Sequence, residues 1–173
     1  MEKELILPEN VTVEIDNKMI KVNGPKGSLQ KKFKYFYDIN IIKKENKLVI
    51  VCKSDKKKVR AMVGTIIAHV KNMTKGVIEG YTYKMKIIYS HFPVSIKIEG
   101  DKFLVNNFLG EKVPRVAEIL GDTKVEVNGQ DVILNGPNKE DVGQTCANIE
   151  QACRLTKYDR RVFMDGIYKV SGD

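Results

Sequence analysis

The chain has 173 residues and a formal net charge of +8, with 30 Lys and Arg against 22 Asp and Glu. Hydrophobic residues make up 42% of it, which is enough to bury a core and argues against a globally disordered chain. The basic balance favours a polyanionic partner such as nucleic acid, and the excess lies in residues 1–80, since residues 81–173 carry 13 basic and 13 acidic residues.

Cysteine usage and hydropathy narrow the class of protein further. The chain has an odd number of cysteines, namely Cys52, Cys146 and Cys153, and no two of them have CxxC spacing. This argues against a disulfide framework or a metal site. No apolar stretch approaches the roughly 20 residues of a membrane span, and the first residues have no signal-peptide core. We therefore expect a soluble, cytoplasmic protein with no cofactor, no bound metal and no membrane partner.

Two hairpins are predicted by strands in which polar and apolar residues alternate. The first joins VTVEI (11–15) to MIKVN (19–23) through a turn at Asp16 and Asn17. The second joins VSIKI (94–98) to KFLVN (102–106). Two further strands are predicted at KLVIVC (47–52) and DVILN (131–135).

Each of these later strands is followed by a predicted amphipathic helix. Ser54 and Asp55 are N-cap candidates for the first helix, and Gly76 is expected to end it. The second helix begins near Asn138, with Asp141 three residues on in the pattern of a capping box. Apolar residues at helical spacing give each helix a core-facing stripe, at Val59, Met62, Val63, Ile66, Ile67 and Val70 and then at Val142, Cys146, Ile149 and Cys153.

The two halves of the chain repeat at an offset of 83 residues. Val11, Val13 and Ile15 correspond to Val94, Ile96 and Ile98, and Gly27 corresponds to Gly110. Between the halves, alternation from Tyr81 to Ile87 predicts a strand that leaves the first and enters the second. A repeat of this length indicates a duplicated domain. We therefore predict an α+β fold of two tandem copies, residues 1–80 and 81–173, each an antiparallel sheet packed against a helix.

Catalytic motifs are missing from the sequence. His69 lies near the apolar stripe of the first helix and His91 beside a Phe-Pro turn, so packing roles suit both better than ligand roles. No GxSxG, HExxH or P-loop sequence occurs, and GPKGS (24–28) lacks the ending of a phosphate-binding loop. The sequence indicates a protein that is not an enzyme and has no small-molecule substrate.

Basic segments at turns are candidate sites for RNA. In GPKG (24–27), glycine backbone can approach phosphate beside Lys26, although an ordinary hairpin turn with a solvated lysine is an equal alternative. The corresponding segment of the second half offers Lys112 and Arg115, and its neighbours Phe108 and Leu109 cover either the core or a partner surface. A further run, KSDKKKVR (53–60), is more simply a solvated cationic face.

The last basic segment, RLTKYDRRVFMDGIYKV (154–170), interleaves cations with tyrosines. Arginine binds phosphate through paired hydrogen bonds, and tyrosine stacks on an unpaired base or ribose. The alternative is a set of Asp–Arg pairs and aromatic side chains that close the core. The predicted RNA-binding residues here are Arg154, Lys157, Tyr158, Arg160, Arg161 and Lys169.

Five stretches, in order along nearly the whole chain, resemble one protein family: VNGPKGSLQ, AHVKNMTKGVIEGYTYKMKIIYSHFPV, NFLGEKVPR, EDVGQTCANIEQACR and DRRVFMDGIY. It is the L-six family of large-subunit ribosomal proteins, called L-nine in eukaryotes. GDTKVEV and DRRVFMDGIY resemble its archaeal form. Val113 departs from the pattern, because many relatives carry an aromatic or polar residue there.

The resemblance implies a structural constituent of the large ribosomal subunit that supports translation. It implies binding of 23S-type ribosomal RNA near the sarcin–ricin loop and the translation-factor binding region, mainly through the C-terminal domain. Neighbouring ribosomal proteins, and candidate translation factors, are the further partners it implies. Two alternatives stay open: a protein-interaction module anchored by Phe108 and Leu109, and a small enzyme with a site at the domain seam.

Overall fold

The structure is a computed structural model that describes residues 2–8, 10–16, 19–33, 39–44, 47–52, 56–90, 92–156 and 158–172. It separates into two compact units, Met1–Gly80 and Tyr81–Asp173. Each unit combines antiparallel strands with one α-helix in its described residues, which confirms the predicted tandem α+β fold. A single sheet was predicted for each copy, whereas the described strands of each unit form two sheets.

The first unit has six strands and one helix in its described residues: β1 (Glu2–Ile6), β2 (Thr12–Asp16), β3 (Met19–Gly24), β4 (Gly27–Lys32), β5 (Ile39–Lys44), β6 (Lys47–Cys52) and α1 (Lys57–Ile78). One sheet has the order β1-β6-β5 and the other β2-β3-β4. Val63, Ile66 and Val70 of α1 are buried in one cluster with the inward residues of β3 and β6. The predicted apolar stripe therefore closes both sheets into a single core.

The two ends of α1 are only partly as the sequence predicts. The N-cap candidates Ser54 and Asp55 lie outside the described residues, and the N-cap position is Lys56, whose side chain makes no capping hydrogen bond. The prediction that Gly76 ends the helix is wrong, because Gly76 is buried within it. The turn comes at Gly80, whose φ of +80° suits glycine at a helix C-terminus.

The part of the second unit that the structure describes contains seven strands and one α-helix: β7 (Tyr81–Ile88), β8 (Ser95–Glu99), β9 (Lys102–Asn106), β10 (Arg115–Glu118), β11 (Lys124–Asn128), β12 (Asp131–Gly136), α2 (Lys139–Ala152) and β13 (Gly166–Gly172). A short 3₁₀ turn covers Phe108–Gly110. The sheets have the orders β10-β9-β8 and β11-β12-β7-β13. Both contribute to one core, which includes Phe103 of β9, Leu134 of β12 and Ile149 of α2.

The second helix follows the sequence prediction closely. Asn138 is the N-cap, and its side-chain oxygen accepts a hydrogen bond from the Glu140 backbone N–H at 3.1 Å. Its side-chain amide also donates to the carboxylate of Asp141, the third helical residue, at 2.8 Å. The N-cap residue and this acidic residue are thus linked through their side chains. Cys146 and Cys153 are buried, as the helical spacing predicts.

The repeat is visible in the strands themselves, since β8 and β9 begin 83 residues after β2 and β3. The strand at Tyr81 does not run from one half to the other as expected. β7 lies wholly in the second unit, where it pairs with β12 as β1 pairs with β6. Within the described residues, no helix is long and apolar enough to cross a membrane.

Candidate nucleic-acid interface

The Lys26 turn between β3 and β4 lies against the end of α1. The Lys26 backbone N–H donates to the Val77 carbonyl at 2.8 Å, and its Nζ donates to the Glu79 carbonyl. A Cβ at Gly24 would lie 2.5 Å from Cγ2 of Val77, so the approach requires glycine. Lys26 thus satisfies carbonyl groups that the helix leaves without intrahelical partners.

The segment after β9 buries its phenylalanine. Phe108 is 1% exposed and belongs to the core of the second unit. Asn107, Leu109 and Gly110 all have positive φ, and this sharp path turns Phe108 inward. A partner anchored on Phe108 is therefore ruled out, whereas Leu109 is only partly buried.

Arg115 has internal partners on two sides. Its Nε and Nη2 donate to the two carboxylate oxygens of Glu111 at 2.8 and 2.7 Å. Its Nη1 donates to the carbonyls of Ala152 and Arg154 at the end of α2, at 3.0 and 3.2 Å. The hydrogen bonds to Glu111 raise the pKa of Arg115, and its guanidinium lies 4.3 Å from the centroid of the Phe108 ring. The geometry gives Arg115 a structural role, and the prediction of an RNA contact there stays untested. Lys112, by contrast, is exposed.

Residues 153–165, here called the arginine loop, connect α2 to β13. Asp159 shapes its tip, because its carboxylate accepts from the Arg161 N–H at 2.9 Å. Its backbone carbonyl accepts from the N–H groups of Val162 and Phe163, at 3.1 and 2.9 Å. The tight turn leaves Arg160 and Arg161 exposed side by side. Lys157 lies outside the described residues.

Two contacts anchor the arginine loop to the unit. Asp165 is 2% exposed, and its carboxylate accepts from the Ser90 backbone N–H at 2.5 Å and from the Ser90 hydroxyl at 3.3 Å. The ring of Tyr158 lies 4.8 Å from that of Phe163, which packs against the core. A buried carboxylate needs its donors, so the Ser90 contacts hold the loop at Asp165, directly before β13 begins.

A small cleft of about 140 Å³ lies beside the loop, and its lining includes Arg154, Arg160 and Tyr168. The Tyr168 ring lies across Gly166, where an added Cβ would be 2.8 Å from the phenol. Tyr168 as a whole is 37% exposed. Its partner in the register of β7 and β13 is Lys86. The sequence had placed Tyr168 among the cations without selecting it. The prediction also missed Lys86, although the alternation along β7 indicates that this residue is exposed.

Lys169 does not line this cleft. Its Nζ lies 4.1 Å from the centroid of the buried Tyr83 ring, and its partner in the register of β7 and β13 is the buried Met85, whereas Tyr168 pairs with Lys86. Lys169 and Tyr168 therefore leave β13 on opposite faces of the sheet. The structure places Arg154, Arg160 and Tyr168 around one cleft, and Arg161 follows Arg160 at the exposed loop tip.

The described residues contain no group of three His, Cys, Asp or Glu side chains suited to a metal ion. The cysteines are buried, and burial raises the pKa of the Cys153 thiol to about 12. A thiol with such a pKa stays protonated at neutral pH, which makes it a poor nucleophile.

Comparison with known families assigns these two tandem α+β units to a class of ribosomal protein. The family described as ribosomal protein L6 matches residues 7–80 and 92–166, and the chain belongs to it. Relatives named large ribosomal subunit protein uL6 come from the archaea Methanosarcina mazei, Ignicoccus hospitalis and Staphylothermus marinus. They are 46%, 48% and 52% identical to the chain, over 95%, 94% and 96% of it and 93%, 89% and 91% of their own lengths. The predicted archaeal-type family is confirmed, and so is the expectation that the chain is not an enzyme.

Proposed function

We propose that the chain is a structural constituent of the large ribosomal subunit in the cytoplasm, where it binds ribosomal RNA and supports translation. Membership of the ribosomal protein L6 family and the names of the relatives support this function. Neighbouring ribosomal proteins are its further partners. The finer assignment, near the sarcin–ricin loop and the translation-factor binding region with translation factors as candidate partners, rests on the sequence resemblance.

The second unit is proposed as the main RNA-binding domain, and the arginine loop carries that proposal. Its tip presents the exposed side chains of two consecutive arginines on a turn fixed by Asp159. Each guanidinium can bind a phosphate oxygen pair with two parallel hydrogen bonds. Because the Asp159 turn already holds the backbone around the two arginines, less conformational entropy is lost when RNA binds.

The cleft beside the loop complements these phosphate contacts. Tyr168 is 37% exposed, and its ring is positioned by its packing over Gly166. Stacking on such a ring suits an unpaired base or a ribose, and Arg154 and Arg160 supply cations beside it. Recognition of this kind reads the shape of folded RNA and not a linear sequence.

Replacing Arg160 and Arg161 together tests the proposal. We expect the Arg160→Ala, Arg161→Ala variant to bind an RNA fragment carrying the sarcin–ricin loop about tenfold or more weakly, because charge-assisted hydrogen bonds to phosphate are lost. The slope of log affinity against log salt should flatten by about one to two. Fluorescence anisotropy across a series of salt concentrations measures both quantities.

A matched variant removes two cations elsewhere in the same unit. Lys97 and Lys102 are exposed and belong to the β8–β9 hairpin, and Lys97→Ala with Lys102→Ala should leave most of the affinity intact. Equal losses in the two variants would mean that net charge alone drives binding. Wild-type affinity and slope in the arginine variant would remove the loop from the interface.

A further inference from the structure

An apolar groove in the first unit lies between β1 with its following residues and the C-terminal half of α1. Its volume is about 280 Å³, and Leu5, Ile6, Pro8 and Ile78 form its aliphatic lining. Ile6 is 74% exposed, which is unusual for a large aliphatic residue on a cavity wall. The groove lies just below the range of about 300–1,000 Å³ typical of small-molecule sites, so it suits inserted side chains better than a whole ligand.

Thr74 gives the groove a polar point. Thr74 is 9% exposed, and its buried Oγ1 has no hydrogen-bond partner. Thr65 of the same helix, by comparison, donates its hydroxyl to the Ala61 carbonyl one turn earlier at 3.1 Å. A buried hydroxyl without a partner costs free energy, and rotation of the Thr74 side chain toward the groove would let a ligand carbonyl or carboxylate oxygen recover it.

The rim of the groove sets the charge of its occupant. Lys71 and Lys75 lie one turn apart on α1 and line the groove, with Glu79 pairing with Lys75 at 4.0 Å. RNA would set phosphates or base edges against an aliphatic floor that offers no ring for stacking. A polypeptide supplies an aliphatic side chain, a main-chain carbonyl and a carboxylate within a few residues.

We propose that this groove docks an acidic segment of a second protein of the large subunit. One aliphatic side chain of that segment packs between Ile6 and Ile78, and an oxygen accepts a hydrogen bond from Thr74. A neighbouring Asp or Glu lies against Lys71 and Lys75. This proposal rests on the proposed place of the chain in the large subunit, but the groove belongs to the first unit and its occupancy does not depend on the RNA interface proposed for the second.

Site-specific photocrosslinking tests the docking site in the assembled subunit. The full chain carries Ile6→p-benzoylphenylalanine, and large subunits that contain it are irradiated and digested for mass spectrometry. Ile42 provides the matched position, because it is 46% exposed on β5 of the same unit and does not line the groove. We expect position 6 to crosslink to a peptide of one protein in which an aliphatic residue is flanked by Asp or Glu. Lys71→Glu with Lys75→Glu should abolish that adduct.

The outcomes separate cleanly. An adduct with ribosomal RNA alone, no adduct, or the same adduct from position 42 would overturn the proposal. A synthetic copy of the captured peptide then tests the hydroxyl, since Thr74→Val keeps the side-chain shape and removes the donor. We expect binding of that peptide to weaken about fivefold with Thr74→Val and little with Thr74→Ser. Equal affinity for Thr74→Val and wild type would overturn the hydrogen bond.

Discussion

Arg115 begins β10 directly after a turn, and Lys26 lies within one. Both cationic side chains donate hydrogen bonds to main-chain carbonyls at the C-terminus of a helix. Arg115 donates to the carbonyls of Ala152 and Arg154 at the end of α2, and Lys26 to that of Glu79 at the end of α1. A helix C-terminus and a phosphate group attract the same cation, since each presents unpaired oxygen and negative charge. Residue type at a turn could not distinguish the two roles, because the oxygen partners are distant in the sequence.

The role of Arg115 is testable by stability. Arg115→Met should lower the free energy of unfolding by about 1–3 kcal/mol, because it breaks charge-assisted hydrogen bonds to Glu111 and removes the donor to the Ala152 and Arg154 carbonyls. Lys112→Met removes the same charge from an exposed neighbour and should change stability little. Urea denaturation measures both. Unchanged stability with a large loss of RNA affinity would make Arg115 an RNA ligand instead.

At the scale of elements, local pattern predicted most of what the structure contains. Period-two alternation found the two hairpins, and helical spacing found both helices with their buried faces. The errors have long-range causes. The pairing of β7 with β12 spans some 50 residues in sequence, so alternation alone could not assign β7 to one unit. Gly76 was predicted to end the helix, but a glycine also occurs inside a helix where close packing leaves no room for a side chain, and Gly76 is buried there.

Of the candidate site, the sequence predicted the cations and missed their orientation. Arg154, Arg160 and Arg161 were selected as RNA-binding candidates in one segment of the chain, and that role stays a prediction. Their arrangement depends on Asp159 and on the Asp165–Ser90 contact, which the segment itself does not reveal. Lys169 shares the segment, but its side chain lies over the Tyr83 ring and does not line the cleft. Strand alternation carries that information only once the strand is known to begin at Gly166.

The N-cap of α2 gives a prediction for one element. Asn138→Ala should lower the free energy of unfolding by about 0.5–2 kcal/mol, because it removes the side-chain acceptor for Glu140 N–H and the donor to Asp141. Asn128→Ala, at the exposed end of β11, is the matched control and should have little effect. Thermal unfolding followed by circular dichroism compares them. Equal melting temperatures for the two variants would show that the cap contributes nothing measurable.

For the whole molecule, the distribution of charge separates two kinds of RNA binding. Residues 1–80 carry 17 basic and 9 acidic residues, whereas residues 81–173 carry 13 of each. Net charge governs weak binding to any polyanion, and an ordered set of contacts governs specific recognition. The excess charge and the proposed specific surface therefore lie in different units, and the two contributions can be varied independently.

Heparin, a polyanion without bases, measures the first contribution. Lys57→Gln with Lys58→Gln removes two exposed cations from the start of α1, and Arg160→Ala with Arg161→Ala removes two from the arginine loop. We expect the α1 variant to elute from heparin at lower salt than the loop variant, because its cations belong to the unit with the positive excess. On the RNA fragment with the sarcin–ricin loop the order should reverse, because the loop variant loses bidentate phosphate contacts. If the α1 variant is the weaker binder of both heparin and the RNA fragment, the two contributions do not lie in different units. Specific recognition would then belong to the first unit.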